Sequence, residues 1–347
     1  MTHFEVTDRR DVVAKRPDRY RSFPGWTRTA SGDVLMGYRD ARSAAGTRSH
    51  GSAGDFLLMR ESGGQWGEAE LLYRHEVDAE EMGCGDLTLL SGGTIGLWSR
   101  QWTPAASRSR DSYFAWSDDG GWTFSPRQPV RFDFFRSGWA PYGKVIELSG
   151  DLWLQGGYGR RPGETLSSAA GLVSRDRGRS WQLHSWIAEG SDGRGLNYYE
   201  PFMLRLADGT LFCLLRTDGT FYATRSTDGG RRWSPPAPAF RGMACAGLVL
   251  SSGEVLVTFR GIHEEHPQEV RENVKERRGR LYCGRTSDDG GATWGAEMEI
   301  DGNTAWQIGS YGMGDVLDSA DGSVRVIYYT SDAEQAPWLA ECRLVRR

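Results

Sequence analysis

The chain has few of the residues that cross-link or anchor a protein. Its 347 residues include five cysteines, an odd number without any C-x-x-C pair, and this usage is typical of buried free thiols in a reducing compartment. No apolar run is long enough to cross a membrane, and the opening MTHFEVTDRR lacks the apolar segment of a signal peptide. We therefore predict a cytoplasmic protein without a membrane partner, and no cofactor is predicted.

Lysine and helical patterns are also scarce. The only lysines are Lys15, Lys144 and Lys275, so arginine carries most of the positive charge and a single arginine is a weak sign of function. The net charge of −4 gives no indication of nucleic acid binding, and no nucleic acid partner is predicted. The 46 glycines and 14 tryptophans, together with the scarcity of helical periodicity, favour an all-β fold.

A turn-like motif, S-x-D-x-G-x-x-(W/F), recurs along the chain. Its four copies are Ser117–Phe124, Ser174–Trp181, Ser226–Trp233 and Ser287–Trp294, and Arg60–Trp66 is a degenerate fifth. The aspartate can accept backbone hydrogen bonds, the glycine tolerates positive φ, and the aromatic residue buries a large apolar surface. A calcium loop needs more oxygen ligands at alternate positions, so we predict hairpin turns and no metal.

A second repeat sets the number of structural units. Six hairpins, each a hydrophobic strand, a small polar pair with glycine and another hydrophobic strand, turn at Gly32, Gly92, Gly150, Gly209, Gly253 and Gly322. Six units of four strands predict an all-β fold, a six-bladed β-propeller of four-stranded antiparallel blades, because ring closure removes exposed strand edges. We expect one domain over 1–347, with residues 3–14 supplying the outer strand of the last blade.

Strand polarity separates the two ends of such a propeller. Turns between the first and second strands and between the third and fourth strands share one end, because neighbouring strands are antiparallel. The S-x-D-x-G turns and the glycine hairpins are therefore predicted together at one end. The chemistry is expected at the opposite end, where the second strands finish and the first strands begin.

These S-x-D-x-G repeats resemble the Asp boxes of the sialidase (neuraminidase) superfamily, and the resemblance covers most of the chain. RYRSFPGW resembles the Tyr-Arg-Ile-Pro motif of that family, with one residue more, and implies that Arg21 binds the carboxylate of a sugar. NYYEPFMLRLADGTLFCLLRT resembles the family segment that carries a glutamate and a second arginine, which implies these roles for Glu200 and Arg216. Both are expected at the same end of the fourth blade.

Two further segments extend the resemblance. ERRGRLYCGRTSDDGG in the fifth blade is similar to the segment with the third arginine; Arg278 fits best and Arg260 is the rival. IGSYGMGDV in the sixth blade resembles the segment with the catalytic tyrosine, which implies Tyr311. Arg39 is a further substrate-binding candidate. Guanidinium groups bind carboxylates through paired, charge-assisted hydrogen bonds, and a tyrosine nucleophile is the known sialidase exception among glycosidases.

One family element has no clear counterpart. The family has an aspartate acid/base after the second strand of the first blade, where this chain reads YRDARSAAGTRSHGSAGDF. The candidates in that segment are Asp40, His50 and Asp55. Trp102, Tyr142, Tyr158 and Tyr198 are expected near the same end and could stack on a sugar ring.

The resemblance implies an exo-α-sialidase-type glycoside hydrolase that acts on an acidic sugar. Two other hypotheses fit the same residues. One is a propeller polysaccharide lyase that acts on a uronate, with His50 and Tyr311 transferring the proton. The other is a glycan-binding propeller without catalysis. A glycan or acidic sugar is the expected partner in all three cases, and the sequence does not indicate an oligomeric state.

Overall fold

The computed structural model describes residues 3–42, 54–75, 80–102, 110–262, 282–301, 314–319, 321–330 and 337–347. They form six antiparallel sheets. Each inner strand contacts the inner strand of the next sheet, and the last such contact returns to the first sheet. The predicted all-β, six-bladed propeller is confirmed.

The strands of the first three blades follow each other along the chain, after an N-terminal strand β1 (Phe4–Val13). Blade I contains β2 (Arg19–Arg28), β3 (Val34–Arg42), β4 (Gly54–Ser62), β5 (Gln65–Trp66) and β6 (Glu70–Tyr73). Blade II contains β7 (Glu80–Leu89), β8 (Ile95–Trp102), β9 (Arg110–Ser117) and β10 (Gln128–Val130), with a 3-10 turn at Ser91–Gly93. Blade III contains β11 (Arg136–Ser149), β12 (Leu152–Arg160), β13 (Ser167–Ser174) and β14 (Gln182–Ala188).

The remaining blades have the same order. Blade IV contains β15 (Tyr199–Arg205), β16 (Leu211–Arg216), β17 (Thr220–Ser226) and β18 (Ala237–Arg241). Blade V contains β19 (Met243–Val249), β20 (Val255–Arg260), β21 (Tyr282–Ser287) and β22 (Met298–Asp301). Blade VI contains β23 (Gly314–Asp318), β24 (Val324–Thr330) and β25 (Trp338–Arg346). Strand β1 pairs with β25 as the outermost strand of blade VI.

The middle strands are largely buried because each blade is packed between two others. Every residue of β13 and β24 is buried, which explains why small or apolar residues occupy successive positions where a sheet with one exposed face would alternate apolar and polar residues. Arg325 is the exception in β24, and its guanidinium donates to Glu61 at 2.6 Å and to Glu341 at 2.7 Å. A buried cation is tolerated there because two carboxylates surround it.

All four complete S-x-D-x-G turns connect the third strand of a blade to the fourth, so they lie at the end that also holds the glycine hairpins. We call this the box end, and the opposite end the site end. In the blade V turn, Asp289 accepts from the Ala292 and Thr293 amides at 2.9 and 2.8 Å and from the Thr293 hydroxyl at 2.6 Å. Ser287 donates to the same carboxylate at 2.7 Å. The predicted turn chemistry is confirmed.

These turns also join neighbouring blades. Gly178 of the blade III turn has a φ of +84°, and a Cβ there would lie 2.0 Å from the ring of Phe114 in blade II. Arg60 of blade I donates to the Gly120 carbonyl of the blade II turn at 2.8 Å. Arg225 of blade IV donates to the Gly290 carbonyl of blade V at 2.9 Å. The turn glycines are therefore needed for close packing between blades as well as for backbone conformation.

The axis of the propeller is crossed by a partly buried ion pair. Lys144 of blade III donates to Asp315 of blade VI at 2.6 Å, and to the carbonyls of Trp26 in blade I and Leu87 in blade II at 2.5 and 3.3 Å. The Trp26 amide also donates to Asp315 at 3.1 Å. Burial raises the pKa of Asp315, although Lys144 opposes the shift. This pair couples four blades, and we call it the axial ion pair.

Candidate functional site

Backbone bulges shape the inner strands at the site end. The β-ladder register shifts in the inner strands of blades I, III, IV and V. In each of these strands a residue with positive φ lies at a register shift: Phe23, Gly143, Glu200 and Ala244, with φ of 54°, 75°, 49° and 51°. A bulge of this kind redirects a side chain. In blade IV the redirected side chain is a glutamate, in a conformation that costs a non-glycine residue on the order of 1–3 kcal/mol.

Glu200 and Arg216 form an ion pair across the first two strands of blade IV. Arg216 Nη1 donates to Glu200 Oε1 at 2.6 Å. The Glu200 side chain is 8% exposed and that of Arg216 is 25% exposed. Within the part of the chain that the structure describes, no donor reaches Glu200 Oε2, although this oxygen is buried. One carboxylate oxygen is therefore fixed by the arginine, and the other remains available as an acceptor.

Three tyrosines surround this ion pair. Tyr199 packs edge-on against Tyr158 with 5.8 Å between ring centroids, and the Arg216 guanidinium lies 5.9 Å from the Tyr199 ring. Burial tends to lower the pKa of Arg216, but the charge of Glu200 and the neighbouring Tyr158 and Tyr142 raise it overall. Arg216 is therefore a permanent cation in a partly desolvated setting, where its attraction for an anion is stronger than in water.

Arg100 of blade II extends the cluster and was not among the sequence candidates. Its Nη1 lies 3.3 Å from the hydroxyl of Tyr158, and the residue is 8% exposed. One sequence feature could have identified it: Arg100 lies near the end of a second strand, as Arg216 and Arg260 do in their own blades. Tyr142 donates its hydroxyl proton to the Cys245 carbonyl of blade V at 2.8 Å, so this tyrosine is engaged in holding blades III and V together.

Arg39 and Arg260 approach the same region from blades I and V. The charges of Arg39, Arg260 and Glu200 all influence the pKa of Tyr329 in blade VI. Arg39 is fully buried, with its guanidinium 5.5 Å from the Tyr20 ring, and Arg260 is 8% exposed. A Cβ at Gly54 would lie 2.8 Å from Arg39 Nε, so glycine there makes room for the guanidinium.

Tyr329 is a second residue that the sequence analysis missed. It is 1% exposed, and burial raises the pKa of its hydroxyl well above the ordinary value of 10.0. Its ring packs edge-on against Phe23, the bulge residue of blade I, at 5.6 Å. Tyr329 is therefore a neutral packing residue against the bulge of blade I.

Arg21 and Asp40 are engaged with each other. Arg21 Nε donates to Asp40 at 3.2 Å and its Nη1 donates to the Ala14 carbonyl, while Arg19 lies 3.5 Å from the second Asp40 oxygen. Both side chains are nearly buried. The two sequence candidates thus form a local ion pair at the edge of blade I. In this arrangement Nε and Nη1 of Arg21 and one Asp40 oxygen are used in hydrogen bonds within the protein.

Asp55 is held by a histidine that the sequence analysis did not consider. The backbone amide and ring Nδ1 of His75 lie 3.0 and 2.6 Å from the same Asp55 oxygen. Burial tends to raise the pKa of Asp55, but these His75 hydrogen bonds lower it overall. An aspartate whose ionised form is favoured is a poor proton donor at neutral pH.

Several sequence candidates fall elsewhere. His50, Arg278 and Tyr311 lie outside the described residues, as does the side chain of Trp102. Tyr198 is fully buried and donates to Asp192 at 2.6 Å, so it is part of the scaffold.

Among the described residues, no cluster of three or more His, Cys, Asp or Glu side chains could hold a metal, and none of the helices there could span a membrane.

Comparisons with known proteins agree with this architecture. The family described as BNR repeat-like domain matches residues 48–326. No curated protein sequence matches the chain. Among solved structures, a protein of unknown function from Dyadobacter fermentans DSM 18053 has a TM-score of 0.80 at 19% identity, covering 98% of this chain and 99% of that one.

Sialidases are also similar in structure. A mutant of the NanB sialidase from Streptococcus pneumoniae has a TM-score of 0.69 at 12% identity, over 96% of this chain and 70% of that one. The leech intramolecular trans-sialidase has a TM-score of 0.65 at 13% identity, over 100% of this chain and 70% of that one. Identities this low show a shared fold and no more. With most of its length matched by the family model, the chain belongs to the family of BNR repeat-like domains, and its propeller resembles those of sialidases.

Proposed function

We propose that this protein is a glycoside hydrolase of the sialidase type that acts on an acidic, carboxylate-bearing sugar. The observation that carries the proposal is the Glu200–Arg216 pair, 2.6 Å apart at the site end, with the second Glu200 oxygen buried and available as an acceptor. A strained glutamate beside an arginine cluster fits a functional site better than a scaffold position.

Binding begins with the carboxylate of the sugar. Arg216 is the most exposed arginine of the cluster, so we assign it the direct contact, with Arg260 at the equivalent strand end of blade V beside it. Guanidinium groups suit this task because they make paired, charge-assisted hydrogen bonds. Arg39 is fully buried, so we assign it no direct contact with the sugar; its positive charge attracts the carboxylate from within the protein. Arg278 stays a candidate for the third contact.

Cleavage is assigned to Tyr311 and Glu200. Glu200 Oε2 accepts the phenolic proton, the Tyr311 oxygen forms a bond to the anomeric carbon, and the glycosidic carbon–oxygen bond breaks. The leaving oxygen takes a proton from a general acid. Asp40 and Asp55 are engaged by Arg21 and His75, so we assign this step to His50.

Product analysis on two substrate panels tests the reaction type. Release of free sialic acid from sialosides supports the hydrolase. A new absorbance from an unsaturated uronate, with no sialic acid released, identifies a lyase instead. Glycan binding without turnover on either panel identifies a binding protein. The last two outcomes each overturn the proposal.

Trapping with a fluorinated sialic acid tests the roles of the residues. We expect a covalent adduct on Tyr311, absent in Tyr311→Phe and slowed at least 100-fold in Glu200→Gln, because the base is lost. Tyr329→Phe is the matched control, since this tyrosine is buried within the electrostatic influence of Glu200 and is expected to keep normal trapping. Arg216→Ala is expected to lower kcat/KM by about 100-fold or more. An adduct that forms normally in Glu200→Gln contradicts the assigned base.

A further inference from the structure

A cleft between blades I and II at the box end combines two departures from the repeat pattern. Blade I has the degenerate copy of the turn, and its outer edge is divided into the short strands β5 and β6. In the adjoining blade II turn, Trp122 occupies the position that Arg179, Arg231 and Ala292 occupy in the other three turns. The shortened outer edge leaves space, and the tryptophan lines it.

The cleft has the size and lining of a binding site. Its volume is about 400 Å³, within the range of small-molecule sites. Its lining combines buried apolar residues with exposed polar ones, among them Leu35, Met59, Ser62, Gln65, Glu68 and Glu70. Trp122 is 68% exposed. It is the only strongly exposed tryptophan in the described part of the chain, where the others are at least half covered.

The position of Trp122 is fixed from two sides. Its backbone amide donates to Asp119 of the turn at 3.0 Å. The Arg60 guanidinium lies 4.1 Å from the centre of its ring. Arg60 in turn donates to the Gly120 carbonyl at 2.8 Å and lies 3.4 Å from Asp33. The ring is therefore a preorganised flat surface, which lowers the entropic cost of binding a ligand.

The charges in the cleft select the class of ligand. The positive charge of Arg60 is balanced by Asp33. Glu68 and Glu70 are exposed, and neither has an ion-pair partner among the described residues. The cleft therefore carries net negative charge and repels carboxylates, in contrast with the arginine cluster at the site end. The carboxylates of Glu68 and Glu70 and the side-chain amide of Gln65 suit hydroxyl groups. The face of the Trp122 ring suits the apolar face of a pyranose ring.

We propose that this cleft is a second carbohydrate site, which binds neutral sugar rings of a glycan. It is separate from the arginine cluster, because the two lie at opposite ends of the propeller. Binding there holds the protein on a glycan that presents neutral residues, and does not require turnover. The proposal stands whether or not the site end proves catalytic.

Titration calorimetry with methyl β-galactoside, lactose and cellotetraose tests the proposal, with glucuronic acid as the charged comparison. We expect at least one neutral probe to bind and glucuronic acid not to bind. Trp122→Ala should weaken that binding at least 10-fold, and Trp122→Phe should retain most of it. Arg231→Ala, at the equivalent position of the blade IV turn, is the matched control and should change the affinity less than 2-fold.

Three results overturn the proposal. They are no binding of any neutral probe, binding that Trp122→Ala leaves unchanged, and preferential binding of glucuronic acid. Trp122 is largely exposed, so both variants are expected to fold, and thermal unfolding checks this. Sialoside turnover is measured on the same samples. A loss of cleft binding with normal turnover separates this inference from the proposed function.

Discussion

Replacing Lys144 with methionine tests whether the axial ion pair holds the blades together. The substitution keeps most of the side-chain length but removes the charge and the donations to Asp315, Trp26 and Leu87. Removing one partner of a buried ion pair costs about 3–5 kcal/mol, because the other charge stays buried without compensation. The Lys144 side chain is 28% exposed, so we expect the lower end, about 3 kcal/mol.

The loss should depend on pH in a defined direction. Burial already raises the pKa of Asp315 above 3.8 against the opposing effect of Lys144, and removing Lys144 raises it further. A raised carboxyl pKa means that the folded state binds the proton more tightly, so stability is gained below the folded pKa and lost as the pH rises through it. The variant should therefore lose more stability at pH 8 than at pH 5.

Urea unfolding at both pH values measures the effect. With a slope of about 3 kcal/mol per molar or more for a protein of this size, the midpoint should fall by up to about 1 M at pH 8. Lys15→Met is the matched control, because Lys15 is exposed and lies 4.2 Å above the Trp338 ring, a contact of about 0.5–1 kcal/mol. Equal losses in the two variants, or a Lys144→Met loss that is independent of pH, would refute the reasoning.

Two further predictions concern the turns at the box end. Asp289→Ala should cost about 1–2 kcal/mol through lost hydrogen bonds to an exposed carboxylate and leave turnover unchanged; loss of turnover in a folded sample would contradict a scaffold role. Hydrogen bonds from Thr293 lower the pKa of Asp289 below 3.8, so this stability difference should shrink as the pH falls below that value. Gly178→Ala should lower the thermal midpoint far more than Gly193→Ala, because both have positive φ but only Gly178 faces a neighbouring ring; similar losses would show that backbone strain, not blade packing, dominates.

The sequence was sufficient for the architecture because the features that define a propeller are local. A turn needs only an aspartate, a glycine and an aromatic residue a few positions apart, so each S-x-D-x-G copy can be recognised alone. Strand polarity then places Glu200 and Arg216 at one end without knowledge of their contacts. The same reasoning could not find the axial ion pair, since Lys144 and Asp315 lie 2.6 Å apart but belong to blades III and VI. Their meeting depends on ring closure and register.

The side-chain partners near the site could not be predicted from the sequence for a related reason. Asp55 was an acid/base candidate because it lies near the end of the segment that follows the second strand of blade I, yet its partner His75 follows a short outer strand that no sequence pattern predicts. Arg21 matched a family motif by its neighbours in sequence, but the cross-strand register places it opposite Asp40. A motif identifies a residue, whereas its chemistry depends on which groups the register brings within hydrogen-bonding distance.

The bulge that holds Glu200 connects the fold to the proposed chemistry. In blades I and IV the positive-φ residue is followed by proline: Phe23 by Pro24 and Glu200 by Pro201. Proline is tolerated at a bulge because the ladder there requires no donor. The same kind of backbone bulge therefore carries a packing aromatic in blade I, against which Tyr329 packs, and a carboxylate in blade IV. A glycine in place of Glu200 would relieve the strain, and under the proposed function a charged residue is kept there because its carboxylate acts as the base. The surrounding blades sustain the strain, and in the proposed mechanism this rigid scaffold presents the Glu200 carboxylate to the substrate.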